Sequence, residues 1–157
     1  MTDQFIVFEL AGTSYALPSE RVAHVEMVDG VTRVPNAAHF VDGVVFSRGA
    51  VVPAVSLRAR FGFDREDYTA RTRLLVVRAA SRTVGLIVDS AREFLKIPAD
   101  LIKPPHEAIS GLSGKYLQGI ASLGNRMILV LDLDAILTPE DTATAAADAV
   151  RDSQEIR

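Results

Sequence analysis

Short runs of apolar residues, rich in valine and separated by turn residues, make up most of the chain. Residues 5–10 lead through Ala-Gly-Thr-Ser to residues 15–17, and residues 74–79 lead through Ala-Ser-Arg-Thr to residues 84–88. This spacing and the β-branched content predict two hairpins. Six further strands are predicted at residues 22–28, 43–46, 51–55, 93–97, 117–122 and 127–131. Short strands with such turns predict a mainly β fold, either a barrel or a sandwich.

Helices are predicted at only three places. Residues 57–61 and 133–137 have the pattern of single helical turns. The C-terminal segment 138–157 opens with a Thr-Pro pair, which suits the start of a helix, and continues with an alanine-rich stretch that favours one. Its last residues are polar, so we expect a C-terminal helix with a frayed end.

An internal repeat explains the order of the strands. When the chain is shifted by 76 residues, GVVFSRGAVVPAVSLRARF lies over GIASLGNRMILVLDLDAIL without a gap. Gly43 then matches Gly119, and Leu57 matches Leu133. The hairpin at the N-terminus matches the one beginning at residue 74 with a shift of 69. These matches indicate duplication of a five-stranded unit. Each copy is too small for a good core of its own, so the two should pack together and leave a groove between them.

Length, charge and composition narrow the classes of function. The chain has 157 residues, the length of one domain or of two small ones sharing a core. Its formal net charge of −3 argues against a nucleic-acid surface, which normally has a basic stripe. The absence of cysteine excludes disulfides and thiolate chemistry. The N-terminus has no leader pattern, and the longest apolar run is far too short to span a bilayer. We expect a cytosolic protein without direct membrane contact.

The residues that could carry chemistry do not form a recognisable catalytic or metal site. His24, His39 and His106 are scattered along the chain, and none lies four residues from another. Asp132 precedes a helical turn, where it can act as a cap, and Ser56 has the same place in the first repeat. The GLSGK stretch lacks the spacing of a phosphate loop. We therefore predict no catalytic residue, no metal and no cofactor.

Arg48 is the residue that the repeat does not explain. It lies with Gly49 in a turn between two predicted strands, where the glycine can supply a positive φ. A solvated hairpin tip is the simplest interpretation of such a pair. The second repeat has a turn here too, Gly124-Asn125-Arg126, but its arginine is placed differently. This difference favours a role for Arg48 in recognising a protein partner.

The motifs around this turn resemble those of the CheW-like coupling proteins of bacterial chemosensory systems, and the resemblance runs from about residue 5 to residue 137. The family signature is a glycine–hydrophobic pair, an Arg-Gly turn, and a hydrophobic run with proline that ends in Leu-Arg. These elements are present as Gly43-Val44, Arg48-Gly49, Val51-Val52-Pro53 and Leu57-Arg58. The stretches VGLIVD and YLQGIASLGNRMILVLDLDAIL are also similar to the family pattern.

The resemblance implies two intertwined five-stranded SH3-like β-barrels, packed across a hydrophobic seam, with few short helices. It implies a single domain over residues 1–140, with subdomains at about 14–70 and 71–137 and the first strand pairing across. It further implies a non-enzymatic adaptor, monomeric alone, that joins the cytoplasmic tip of a chemoreceptor to the regulatory domain of a CheA-type histidine kinase. Such a protein is cytoplasmic and reaches membrane receptor arrays through its partners.

The resemblance also implies two binding surfaces. The receptor side is a groove with Arg48 at its rim, where the bidentate guanidinium suits carboxylates. The residues expected there are Val22, His24, Val25, Val44, Phe46, Arg48 and Val88. The kinase side is the turn-rich loop KPPHEAI, with Lys103, Glu107 and Ile109 as contacts.

Five positions depart from the family pattern. Phe46 and Ser47 stand where the family commonly has Asn-Leu, His24 where an acidic residue is frequent, and Ala108 where a larger side chain is often found. Ser56 replaces the usual aspartate but keeps the capping function. The departures motivate an alternative: an accessory homologue that binds only receptor or only kinase in a divergent pathway such as pilus motility. A further alternative, of another class, is a small-ligand binder or enzyme that uses the groove between the barrels.

Overall fold

Eleven strands and four short helical segments make up the part of the chain that the structure, a computed structural model, describes: residues 2–79, 81–105 and 115–137. The strands are β1 Thr2–Leu10, β2 Thr13–Pro18, β3 Val22–Met27, β4 Val41–Ser47, β5 Ala50–Ser56, β6 Arg73–Ala79, β7 Arg82–Val88, β8 Ser90–Pro98, β9 Ile102–Lys103, β10 Leu117–Leu123 and β11 Arg126–Leu131. The α-helical turns are α1 Leu57–Arg60 and α2 Leu133–Ile136, and the 3-10 turns are Ser19–Arg21 and Ala99–Leu101.

The strands form two sheets that exchange hairpins between the repeats. The six-stranded sheet has the order β8-β1-β2-β11-β10-β9, and the five-stranded sheet has the order β3-β6-β7-β5-β4. The first repeat, β1 to α1, thus gives its N-terminal hairpin to the sheet of the second repeat. The second repeat, β6 to α2, gives its own hairpin to the sheet of the first. The predicted mainly β, intertwined fold is confirmed.

The pairing register confirms the duplication. Between β4 and β5, Val41 pairs with Val55 and Gly43 pairs with Ala54, so one residue of β4 bulges. Between β10 and β11, the pairs Leu117–Leu131 and Gly119–Val130 enclose the same bulge, and each of these residues lies 76 positions after its counterpart. The parallel contacts agree as well, since Ala54 pairs with Gly85 in one sheet and Val130 with Ala16 in the other.

Three apolar clusters form the core of the described part of the chain. One lies inside each sheet: Phe5, Val7, Ala16, Ile97, Ala121, Ile128 and Val130 in the six-stranded sheet, and Val45, Val52, Ala54, Leu74, Val76 and Ile87 in the five-stranded sheet. The largest cluster joins the two sheets through the opposite strand faces, with residues such as Phe8, Leu17, Leu75 and Leu86. Both faces of the central strands are therefore buried, which explains their nearly continuous apolar sequence.

Helix caps follow the repeat too. The Ser56 side chain accepts a hydrogen bond from the amide of Ala59 at 3.2 Å, and Asp132 accepts one from Ala135 at 3.3 Å. Both caps therefore lie at equivalent places, as the sequence predicted.

All ten predicted strands and both predicted helical turns are present in the described residues. The two-residue strand β9 was missed, because a segment this short has no periodicity to detect. The predicted subdomain limits, 14–70 and 71–137, divide the chain between the two repeats. Because the repeats exchange hairpins, these limits do not coincide with the division into two sheets, and they stay a prediction. The predicted C-terminal helix lies outside the described residues.

Candidate functional site

The turn between β4 and β5 places Arg48 at an exposed tip with an unusual backbone. Arg48 has φ = +48° and Gly49 has φ = +83°. Two successive positive φ values characterise a type I′ hairpin turn, in which asparagine or glycine is favoured at the first position. The equivalent residue of the second repeat is Gly124, with φ = +60°. Arginine thus occupies a left-handed position that glycine would fill with less strain.

A cluster of three polar side chains lies at the base of this turn. Nε2 of His24 is 3.1 Å from Oγ of Ser47 and 2.5 Å from Oε2 of Glu26. The Ser47 hydroxyl donates to the same Glu26 oxygen. Because β3 and β4 are the outermost strands of the five-stranded sheet, these contacts close the sheet on itself as a barrel.

The cluster holds a carboxylate in its ionised form. The hydrogen bond from Ser47 lowers the pKa of Glu26, and it prevails over burial, which raises that pKa. His24 and the positive charge of Arg48 lower the pKa of Glu26 further. Glu26 is therefore an anion at neutral pH and lies within the electrostatic reach of Arg48.

The second repeat has apolar residues where this cluster lies. Its counterparts of Glu26 and Ser47 are Leu95 and Leu123, which pack against the apolar interior of the six-stranded sheet. The counterpart of His24 is Glu93, which pairs with Arg126 at 2.7 Å. The polar cluster is thus a feature of the first repeat alone, and the barrel itself does not require it.

The apolar residues expected on the receptor side differ in exposure. Phe46 is 73% exposed, and Val22 and Val25 are half-buried at the margin of the inter-sheet core. Val44 and Val88 are only 7% and 1% exposed, so these two side chains support the surface from beneath and do not line an open groove. Their place in binding stays a prediction.

Lys103, one of the expected kinase contacts, lies apart from this turn. Lys103 is exposed in β9, at the edge of the six-stranded sheet, whereas Arg48 belongs to the five-stranded sheet. Glu107 and Ile109, together with Ala108, lie outside the described residues.

Glu26 is the residue that the sequence interpretation missed. It follows His24 by two positions on a strand, so strand alternation places both side chains on one face. The sequence therefore contained a signal for the pairing of His24 with Glu26. It contained no signal for the contact with Ser47, because β3 and β4 are not paired neighbours in the sheet.

Serine, histidine and glutamate occur together here, but not in the geometry of a catalytic triad. Ser47 and Glu26 both approach Nε2 of His24, whereas a triad needs the carboxylate on the other ring nitrogen. Ser47 is also 4% exposed, which keeps a substrate from its hydroxyl. Among the described residues, no group of three or more histidine and acidic side chains is arranged to hold a metal ion.

A separate cavity of about 1290 Å³ lies between the loop before β4, the loop after α1 and the end of β7. Charged residues in its wall form internal pairs. Arg58 binds Asp89 through two hydrogen bonds of 2.6 and 2.8 Å, and Arg65 binds Asp42 at 2.8 Å. The Arg65–Asp42 pair anchors the long loop after α1, and the Arg58–Asp89 pair joins α1 to the end of β7, so the cavity wall favours a structural role over ligand binding.

Two interlocked SH3-like barrels with an exposed arginine turn define a mainly β scaffold module. The chain belongs to the CheW-like domain family, whose model matches residues 4–141. It is 32% identical over 140 residues to the chemotaxis protein CheW of Klebsiella aerogenes, covering 89% of this chain and 84% of that protein. It is 34% identical over 134 residues to the chemotaxis protein CheW of Helicobacter pylori, covering 85% and 81%.

A solved structure supports the same assignment. The crystal structure of the scaffolding protein TtCheW from Thermoanaerobacter tengcongensis superposes with a TM-score of 0.81 at 27% identity, covering 90% of this chain and 96% of that one. The family is one of chemotaxis scaffold and coupling proteins. In the described part of the chain, no helix has the length and hydropathy needed to cross a membrane.

Proposed function

We propose that this protein couples the cytoplasmic tip of a chemoreceptor to the regulatory domain of a CheA-type histidine kinase. The observation that carries the proposal is the Arg48 turn. An exposed arginine keeps a left-handed backbone conformation where the second repeat has Gly124. Strain of this kind persists mainly where the side chain serves a function. We place the protein in the cytoplasm, at receptor arrays, where its partners hold it without direct membrane contact.

On the receptor side, we expect the partner to be an α-helical hairpin. Phe46 offers a large exposed apolar surface, and Val22 and Val25 are half-buried at the margin of the inter-sheet core. An amphipathic helix can lay its apolar face on such a surface. Arg48, at the rim, then pairs with a carboxylate of the helix and fixes its register.

On the kinase side, the contacts are Lys103, Glu107 and Ile109. Lys103 lies on the other sheet from the arginine turn, so the two partners can bind at the same time. An adaptor that bridges two proteins needs this separation of its surfaces.

Titration calorimetry of the full chain, with the receptor tip fragment and the kinase regulatory domain in separate experiments, tests the proposal. Both partners should bind with micromolar or tighter affinity. Arg48→Ala should weaken receptor binding by about 2 kcal/mol or more and leave kinase binding unchanged. Arg82→Ala is the matched control, since Arg82 is also an exposed arginine beside a left-handed turn residue. Absence of binding to either partner by the folded protein would contradict the coupling function.

A second candidate is an accessory CheW-like protein that binds one partner only, for example in a pilus motility pathway. The observation in its favour is that His24 and Ser47, two departures from the family pattern, contact each other next to Phe46, the third. Three departures that lie together on the expected receptor surface favour the interpretation that this surface binds a different partner. In the same calorimetry, binding to the kinase domain without binding to the receptor tip, or the reverse, would support this candidate.

A further inference from the structure

The carboxylate of Glu26 is held in place by its neighbours through one of its two oxygens. Oε2 accepts a hydrogen bond from the Ser47 hydroxyl, and Nε2 of His24 lies 2.5 Å from the same oxygen. An Nε2–H group can donate whether the imidazole is neutral or protonated, so this hold on Glu26 does not depend on the charge of His24.

The other oxygen of this carboxylate is available to a partner. Among the described residues, none donates a hydrogen bond to Oε1 of Glu26. The Glu26 side chain is 29% exposed, so part of it is open to solvent. A carboxylate oxygen accepts up to two hydrogen bonds, and Glu26 is therefore a fixed acceptor with capacity to spare.

This acceptor lies at the same end of the barrel as the Arg48 turn. Ser47, which binds Glu26, directly precedes Arg48 at the end of β4. The Ser47 hydrogen bond lowers the pKa of Glu26 most, and the positive charge of Arg48 lowers it further, so the two charges interact. Arg48 itself makes no hydrogen bond or ion pair with any other residue that the structure describes. The surface thus presents a cation and an anion that are close together but separate.

Neither of these charges has a counterpart in the second repeat. Leu95 takes the place of Glu26 there, and Gly124 takes the place of Arg48. The second barrel forms without them, so the barrel fold does not require either charge. Their joint presence in the first repeat favours a shared role in recognition.

We infer that Glu26 is a specificity-determining residue of the receptor side, and that it accepts a hydrogen bond from a basic side chain of the partner next to the carboxylate that binds Arg48. The partner helix then needs an acidic and a basic side chain on one face, which places them three or four residues apart. This inference rests on the proposed function, because it names the chemistry of the partner at the same surface.

The fixed carboxylate also discriminates against other partners. Arg48 alone would attract any acidic surface, whereas Glu26 beside it repels a second acid. A helix that carries only carboxylates therefore loses part of its attraction to Arg48, and a helix with an acid–base pair satisfies both charges. Because the two charges differ in sign, they also distinguish the two directions in which a helix can lie across the turn.

Titration calorimetry of the full chain against the receptor tip fragment, at constant pH and ionic strength, tests the inference. Glu26→Gln keeps an oxygen that can accept from Ser47 but removes the negative charge. It should bind the fragment about three- to tenfold more weakly than the wild type, because the basic residue of the partner loses its ion pair. Glu66→Gln is the matched control and should bind like the wild type, since Glu66 is 70% exposed on the loop after α1 and does not belong to the polar cluster.

The sign of the change distinguishes the two kinds of partner. If the partner presented only carboxylates at this surface, removal of the Glu26 charge would relieve repulsion and strengthen binding. Stronger or unchanged binding by folded Glu26→Gln would therefore overturn the inference. Thermal unfolding of the variant shows whether it is folded.

A second measurement uses the wild-type chain, so it does not depend on how well the variant folds. Each lysine and arginine near the tip of the receptor fragment is changed to glutamine in turn. At least one change should weaken binding to the wild type about three- to tenfold, and the same change should have little effect on binding to Glu26→Gln. If no such change weakens binding to the wild type, the inference is wrong.

These outcomes separate the inference from the proposed function. Binding of the fragment that does not depend on Glu26 would overturn the inference and leave the coupling function intact. Failure of the folded wild-type protein to bind the unaltered fragment would overturn both.

Discussion

Arg60 donates a hydrogen bond from Nε to the carbonyl oxygen of Ile136 at 2.8 Å, and these two residues have equivalent positions in the two repeats. The guanidinium carbon of Arg60 also lies 4.8 Å from the ring centre of Phe40 and 5.6 Å from that of Tyr116. Phe40 and Tyr116 are themselves equivalent, since they are 76 residues apart. The approximate two-fold axis of the molecule therefore passes close to this arginine, which binds both repeats together.

Replacing Arg60 with methionine should lower the free energy of unfolding by about 2 kcal/mol, because the aliphatic stem remains but the hydrogen bond and both ring contacts are lost. Urea denaturation measures the change. Arg82→Met, at an exposed site on β7, is the control and should change stability by no more than about 0.5 kcal/mol. An equal effect of the two substitutions would contradict the clamping role of Arg60.

Arg48→Gly should separate stability from recognition. Glycine adopts the left-handed conformation without strain, so the variant should be more stable than the wild type by up to about 1 kcal/mol, and its receptor binding should be weakened as in Arg48→Ala. Thermal unfolding and calorimetry measure the two properties. Ser81, with φ = +66° in the β6–β7 turn, provides the control: Ser81→Gly should raise stability similarly and leave binding unchanged. Loss of stability in Arg48→Gly would mean that the arginine side chain is structural.

Gly43 is required by the close approach of another backbone segment. A Cβ atom at this position would lie 2.0 Å from the carbonyl oxygen of Thr32, which pairs with Val44 across a β-bridge. Gly43→Ala should therefore cost about 3 kcal/mol or more, because a backbone atom has to move. Gly49→Ala has open space and meets only the cost of its positive φ, about 1 kcal/mol. Similar losses in the free energy of unfolding for both variants, measured by urea denaturation, would show that the backbone at Thr32 can move away from Gly43 at little cost.

The Arg58–Asp89 pair should contribute to stability in a pH-dependent way. Burial raises the pKa of Asp89, but hydrogen bonds from Arg58 and from the Ala11 amide, with the charge of Arg58, outweigh it and leave that pKa below its ordinary value. A lowered carboxyl pKa adds stability above the ordinary value of the unfolded chain, and this contribution is lost as the pH falls through the folded pKa. Asp89→Asn should cost about 2 kcal/mol at pH 7, and the difference from wild type should decrease below about pH 4.

Glu93→Gln is the matched control for this pair. Its partner is Arg126, and both side chains are about two-fifths exposed, so the loss should be less than about 1 kcal/mol. Denaturation curves between pH 2 and pH 7 compare the two variants. A difference between Asp89→Asn and the wild type that does not change across this range would show that Asp89 acts through packing and not through its charge.

The sequence predicted the strands well because apolar alternation and turn residues are local signals, and because the repeat gave each strand a second, independent copy. It did not predict β9, which has only two residues. Pairing partners were harder, since Val7 of β1 pairs with Glu93 of β8 and no local pattern joins segments that far apart.

The candidate site was predicted in part for the same reason. Arg48, His24 and Ser47 were each distinguished by their own residue type. Their arrangement around Glu26 depends on the closure of the barrel, which brings the outer strands β3 and β4 together. Burial of Val44 and Val88 likewise depends on packing against elements distant in the chain.

The exchange of hairpins also affects the order in which the strands can pair as the chain is synthesised. Of the described strands, β1 and β2 are synthesised first, yet the strands that pair with this hairpin, β8 and β11, belong to the second repeat and are synthesised much later. A two-stranded hairpin is marginal in water on its own, and this one has apolar side chains on both faces. The five-stranded sheet can be completed once residue 88 has been synthesised. The β1–β2 hairpin can pair with all of β11 only after about forty more residues have been added. Among the described strands, the two that are synthesised first are thus among the last to be buried.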